Sequence, residues 1–154
     1  MQTERIDRIK KRIEEIVADV NEKTAAKLEL DKCKRIVERV SSFSNECEEC
    51  DGYLAELEDH FEEIQEQAHQ LTKEDYKNHY KKTEFTSSHL QKKHNLIPNG
   101  YYMSLYMSLG LSFGLLFGLL VFDNIALGLP IGMVLGMAVG TGLDMDAKKK
   151  GKTI

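Results

Sequence analysis

Two nearly uncharged stretches near the C-terminus restrict what this 154-residue chain can become. Between Gly100 and Gly142 the single charged residue is Asp123. Tyr101 to Phe122 and Ile125 to Leu143 each approach the ~20 apolar residues that, at about 1.5 Å per residue, cross a hydrocarbon core of roughly 30 Å. As core helices of a soluble domain they would need far more apolar surface around them than the charged remainder of the chain offers. Lipid is the better solvent. The sequence therefore predicts a transmembrane hairpin over residues 98–146, with spans at about 101–122 and 125–143 and a tight turn at Asp123-Asn124. Tyr101, Tyr102 and Tyr106 fall where an interfacial aromatic belt belongs.

Glycines recur every fourth residue inside both stretches. Gly110, Gly114 and Gly118 mark one face of the first span, and Gly128, Gly132, Gly136 and Gly140 one face of the second. Steps of four keep residues on one side of a helix, with slow drift. A face without side chains lets another backbone approach closely, which helices in lipid need because no hydrophobic drive brings them together. These seven glycines are the expected helix-packing residues. They join either the two spans of one chain or hairpins of several chains in a homo-oligomer. Ser104, Ser108 and Ser112 form a second row of small residues, but no charged row that would line a pore is present.

Residues 1–97 read as a charged helical region. Ile6, Ile9, Ile13, Ile16 and Val20 alternate three and four apart, the pattern of a coiled-coil seam. The pattern slips, then resumes with Leu28, Leu30, Ile36, Val37 and Val40, so residues 4–40 read as one long helix or as two core-facing ones. Ser41-Ser42-Phe43-Ser44-Asn45 predicts a turn. A helix over 46–71 carries the cleanest stripe: Leu54, Leu57, Phe61, Ile64, Ala68 and Leu71. It should meet the Ile6–Val20 stripe, within one chain or between chains. Thr72 and Asp75 have capping-box spacing. They restart a helix of weak apolar stripe that runs to about Leu96, where Pro98 stops it. The fold class is all-α, with a helical hairpin or coiled-coil region followed by the two-helix membrane hairpin.

The formal net charge of −4 gives no global basic field, so nucleic acid is not an expected partner. Residues 147–154 form a basic tail. Lys92 and Lys93 precede the first span, Lys148, Lys149, Lys150 and Lys152 follow the second, and the loop between the spans has no Lys or Arg. The positive-inside rule puts both termini in the cytoplasm of a multi-pass protein of the cell membrane. The N-terminus lacks the apolar core and small-residue cleavage site of a secretory signal, so none is expected.

Few residues offer chemistry. Cys33, Cys47 and Cys50 are too few, and odd in number, for a disulfide framework. Cys47-x-x-Cys50 could share a zinc ion. In a helical hairpin turning near Ser44, Cys33 would fall about a turn from the level of Cys50, but Glu46, Glu48, Glu49 and Asp51 crowd the pair, and the nearest histidine in sequence, His60, lies further down the hairpin. The expectation is three thiols dispensable for folding and no cofactor, with Cys33, Cys47 and Cys50 as the only metal-ligand candidates. Glu66-x-x-His69 has the spacing of half a di-iron site but lacks its second half. His60, His69, His79, His89 and His94 are expected on solvated faces. No nucleophile elbow, P-loop or dinucleotide fingerprint is present, so no enzyme activity is expected.

Three segments carry a family likeness: Leu96-Ile97-Pro98-Asn99-Gly100-Tyr101-Tyr102, Phe122 through Gly132, and Leu143 through Gly151. With them the chain resembles small bacterial glycine-zipper membrane proteins, mostly of Gram-positive bacteria; the Cys47/Cys50 pair after a Ser-rich turn is similar too. The resemblance implies a membrane protein of bacterial origin and adds no catalytic residue. The expected function is a membrane-anchored helical scaffold or adaptor whose partners are the lipid bilayer and other copies of itself. The alternatives are a small pore or holin-like protein and a thiol or metal sensor coupled to the hairpin.

Overall fold

A computed structural model describes residues 2–154, with side chains from Glu4 onward. Seven helices and no strand occur among the described residues: α1 (Gln2–Asp19), α2 (Glu22–Lys27), α3 (Leu30–Phe43), α4 (Glu48–Glu66), α5 (Lys73–His94), α6 (Tyr101–Leu120) and α7 (Ile125–Lys149). They fall into two compact units. One ends at His94 and also takes in Ile154; the other runs from Asn95 to Thr153.

The helical unit is built around α3 and α4, each of which touches α1 and α5 as well as the other. Ile9, Ile13 and Ile16 of α1, Cys33, Ile36, Val37 and Val40 of α3, and Leu54, Leu57, Phe61 and Ile64 of α4 are buried. The two strong stripes of the sequence therefore meet within one chain. Basic residues of α1 face acids of α4 beside this core: Arg5 with Asp51 at 3.2 Å, Arg8 with Glu58 at 2.8 Å and Arg12 with Glu62 at 2.9 Å. Such exposed pairs set the register of the two helices more than they add stability.

The long helix expected over residues 4–40 is three helices. Asn21, in extended conformation, starts α2 by accepting a hydrogen bond from the Thr24 backbone at 2.9 Å. Glu29, with φ of 46°, turns the chain again before α3. These breaks are the cause of the slip in the isoleucine pattern: α2 between them buries no residue, and the second break re-aims the chain so that α3 faces the core. The helix expected to reach Leu71 stops at Glu66. The Thr72 capping box forms: the Thr72 N–H donates to Asp75 Oδ2 at 2.7 Å, and the Asp75 N–H donates to Thr72 Oγ1 at 3.4 Å.

Residues 95–153 form the hairpin. Gly100, at φ of 78°, turns the chain into α6. Asp123 takes a left-handed conformation at the far turn, and Asn124 Oδ1 caps α7 by accepting from the Ala126 N–H at 3.0 Å. The α7 helix continues to Lys149, past the Leu143 boundary expected for the span. The Ile97 N–H donates to the Lys152 carbonyl at 2.8 Å, so the two ends of the hairpin lie side by side.

Candidate functional site

The hairpin seam is backbone against backbone. Helices α6 and α7 pack along their glycines, and Gly114, Gly118, Gly128, Gly132, Gly136 and Gly140 are buried. A Cβ placed on Gly114 would lie 2.9 Å from the Gly132 Cα, and one on Gly110 2.9 Å from the Gly136 Cα. One on Gly140 would lie 2.6 Å from the Met103 Cα. Outside the seam, leucines, phenylalanines and valines point away; Leu120, Leu135 and Phe117 are well exposed. The serine row lies on an outer face of α6. Ser108 Oγ donates to the Ser104 carbonyl at 2.9 Å and Ser112 Oγ to the Ser108 carbonyl at 3.0 Å. These hydroxyls are spent on their own helix.

Asp144 closes the hairpin at its open end. From α7, its carboxylate accepts the N–H of Tyr102 at 3.0 Å and of Met103 at 2.9 Å, two of the four donors that begin α6 without intrahelical partners. An acid at a helix N-terminus also meets the positive end of its dipole. Nothing in the sequence ties Asp144 to a residue more than forty positions earlier. Asp144→Ala should cost about 1 kcal/mol, as loss of an N-cap does, and Asp144→Asn should keep part of it. Thermal unfolding in detergent measures this; an unchanged alanine variant would mean the contact contributes nothing.

The helical unit gathers a second group of polar side chains. Cys47 precedes α4, Cys50 lies in its first turn, and His89 and His94 close α5. One ligand atom from each of these four residues lies within 4.8 Å of the other three. His89 Nε2 sits 3.4 Å from both sulfurs, and His94 Nε2 sits 3.3 Å from Cys50 Sγ. The other nitrogen of His89 faces Glu49 at 3.5 Å, and Lys93 holds the same carboxylate at 3.2 Å. His94 stacks on Phe43 with ring centroids 3.9 Å apart. Burial first, then the neighbouring Cys47 and Glu49, push the Cys50 thiol up to about 12.

Cys33 stands apart, on a buried chain of polar groups. It contacts His79 Nε2 at 3.6 Å. His79 Nε2 also reaches the Leu28 carbonyl at 2.8 Å, and His79 Nδ1 lies 3.0 Å from His60 Nε2. A carbonyl only accepts, so His79 carries its proton on Nε2. Its bare Nδ1 then accepts from the His60 Nε2–H. His60 Nδ1 is left buried without a hydrogen-bond partner.

The expectation of five solvated histidines is thus corrected. His60 and His79 are buried, and His89 and His94 are partly covered, leaving His69 exposed. The cause lies in α5. Its weak apolar stripe is a polar one, in which His79, Thr83, Thr86 and Ser87 bury beside Leu90. His60 is the nearest histidine to Cys47 and Cys50 in sequence; the structure brings His89 and His94 to them instead. A Cys-x2-Cys followed by a His-x4-His was the available signal, since both spacings recur in zinc sites. Glu66 and His69 acquire no such company.

Residues 99–145 match a family described as glycine zipper membrane protein. The match covers the hairpin, and both its helices are long and apolar enough to cross a membrane. No curated protein and no solved structure matches the chain.

Proposed function

We propose that this chain is a membrane-anchored helical scaffold or adaptor, in which the hairpin holds the helical unit at the cytoplasmic surface. The observation that carries this reading is the closed glycine seam. Each span covers the other's bare backbone and turns mostly apolar side chains outward, and the outward serines of α6 bond to carbonyls of their own helix, as an anchor in lipid requires. A pore-forming role has less support, because the serine hydroxyls already bond within α6 and no charged row accompanies them on either span. The lysines flanking both spans support cytoplasmic termini. Self-association comes second to anchoring. The glycines are already covered within the chain, so copies would meet through the outer apolar flanks of α6 and α7.

The test is made on the full chain, tagged in turn at each end. The protein should resist alkaline extraction from membranes. Both tags should be reachable only after the membrane is opened from the cytoplasmic side, and liposomes carrying the protein should hold an ion gradient. A tag exposed outside, or rapid loss of the gradient, overturns the reading. Cross-linking in the membrane that yields only monomer removes self-association alone.

A further inference from the structure

The geometry points to a structural zinc site formed by Cys47, Cys50, His89 and His94, which would staple the start of α4 to the end of α5. A tetrahedral zinc ion with Zn–S of about 2.3 Å and Zn–N of about 2.0–2.1 Å sets its ligand atoms about 3.3–3.8 Å apart. The three sulfur–nitrogen separations here, 3.4, 3.4 and 3.3 Å, come within about 0.3 Å of the ~3.6 Å that a tetrahedral sulfur–nitrogen pair takes. Hydrogen bonding alone accounts for them poorly. A neutral ring nitrogen offers one lone pair or one hydrogen, so His89 Nε2 can serve one thiol well but not two. Cys50 Sγ meets two ring nitrogens, and as a thiol it could donate to one and accept from the other, so the conflict lies at His89. A cation at the centre removes the conflict, because all four groups then point lone pairs inward.

The surroundings fit a resident ion. Two thiolates balance the charge of Zn²⁺, and two soft sulfurs with two imidazoles are a donor set that suits zinc. Glu49 faces the outer nitrogen of His89, the usual partner that fixes the tautomer of a metal-bound histidine. Four protein ligands leave no open position for substrate, so the ion's role is structural. Binding displaces the thiol protons as the ion enters, and its affinity becomes part of the folding free energy. The second thiol–imidazole group, Cys33 with His79, is no rival: its only sulfur and its Leu28 carbonyl leave it short of ligands.

The full chain purified in detergent without chelator decides the matter by elemental analysis. About one zinc per chain is expected, and after chelation Co²⁺ should refill the site with the intense visible absorption of tetrahedral cobalt bound to thiolate. Cys50→Ser and His94→Ala should each hold less than about a tenth of the parent's zinc, whereas Cys33→Ser should keep it all. His89→Cys, which restores a ligand of another kind, should bind cobalt with an altered spectrum. Failure of the parent both to carry zinc and to take up cobalt overturns the site, whatever becomes of the variants. Equal loss in Cys33→Ser overturns the ligand assignment, and stoichiometric copper or iron in zinc's place overturns the metal.

Discussion

Gly132→Ala is expected to destabilise the hairpin, whereas Gly142→Ala leaves it unchanged or slightly more stable. Both exchanges add one methyl group to the same helix. On helix propensity alone each should help, by about 0.5–1 kcal/mol. At Gly142 nothing lies within 4 Å of the added carbon. At Gly132 the new carbon would collide with the Gly110 carbonyl oxygen and lie 2.6 Å from the Gly114 Cα and 2.8 Å from the Gly114 nitrogen. All three atoms belong to backbone, so no rotamer change makes room. The helices must separate and lose close contacts along the seam. The expected cost is about 1–3 kcal/mol, as in overpacked cores, and Gly132→Leu should cost more. Unfolding in detergent followed by circular dichroism measures it. Equal stability of the Gly132 and Gly142 variants would mean that the seam does not hold the spans together.

Mild acid should loosen the helical unit through its buried histidines. Burial, and then the charges of His79 and Lys82, lower the His60 pKa from the ordinary 6.5 to about 4, and burial lowers that of His79. The unfolded chain therefore binds protons that the folded unit refuses. Stability is fully present above about pH 6.5 and falls as pH drops towards 4, where His60 at last titrates. A gap of that size corresponds to about 3 kcal/mol, at about 1.4 kcal/mol per unit. The structure shows where the added proton does harm. With Nε2 committed to Leu28, His79 can gain a proton only on Nδ1, where it ejects the His60 N–H. A proton on His60 finds the Glu63 carboxylate at 3.7 Å, with Lys82 nearby. Denaturant midpoints between pH 7 and pH 5, measured with chelator present, should fall in the parent and fall much less in His60→Gln. A parallel decline in both would assign the acid sensitivity to other groups.

What could be read from the sequence was whatever repeats locally. The spans, the glycine rows, the turn at Asp123-Asn124 and the Thr72 capping box all declare themselves within a few residues, through hydropathy, small size or a hydroxyl three positions from an acid. The breaks at Asn21 and Glu29 were visible only as a slip, because a side-chain cap and one left-handed residue leave no mark on an apolar pattern. The burial of α5 was hidden, since histidine, threonine and serine look solvated until the partner that satisfies them is known. The cysteine–histidine group was hidden for the same reason. Cys50 and His89 stand 39 residues apart, and only the antiparallel run of α4 and α5 brings them into contact.

A pattern that repeats every four residues has a translational ambiguity. Sliding α6 along α7 by one glycine step, about 6 Å of helix, again sets glycine against glycine. Three glycines on one helix and four on the other leave room for such a step without a collision of side chains at most positions. The seam thus fixes how near the helices lie but ranks the alternative alignments weakly. The choice falls to the two ends. The short turn through Asp123 and Asn124 allows little slack, with the Asn124 N–H held by the Gly118 carbonyl at 2.8 Å. At the other end, Asp144 reaches Tyr102 and Met103 in one alignment only. The hairpin works like a vernier, with fine graduations along its length and a stop at each end that selects the reading.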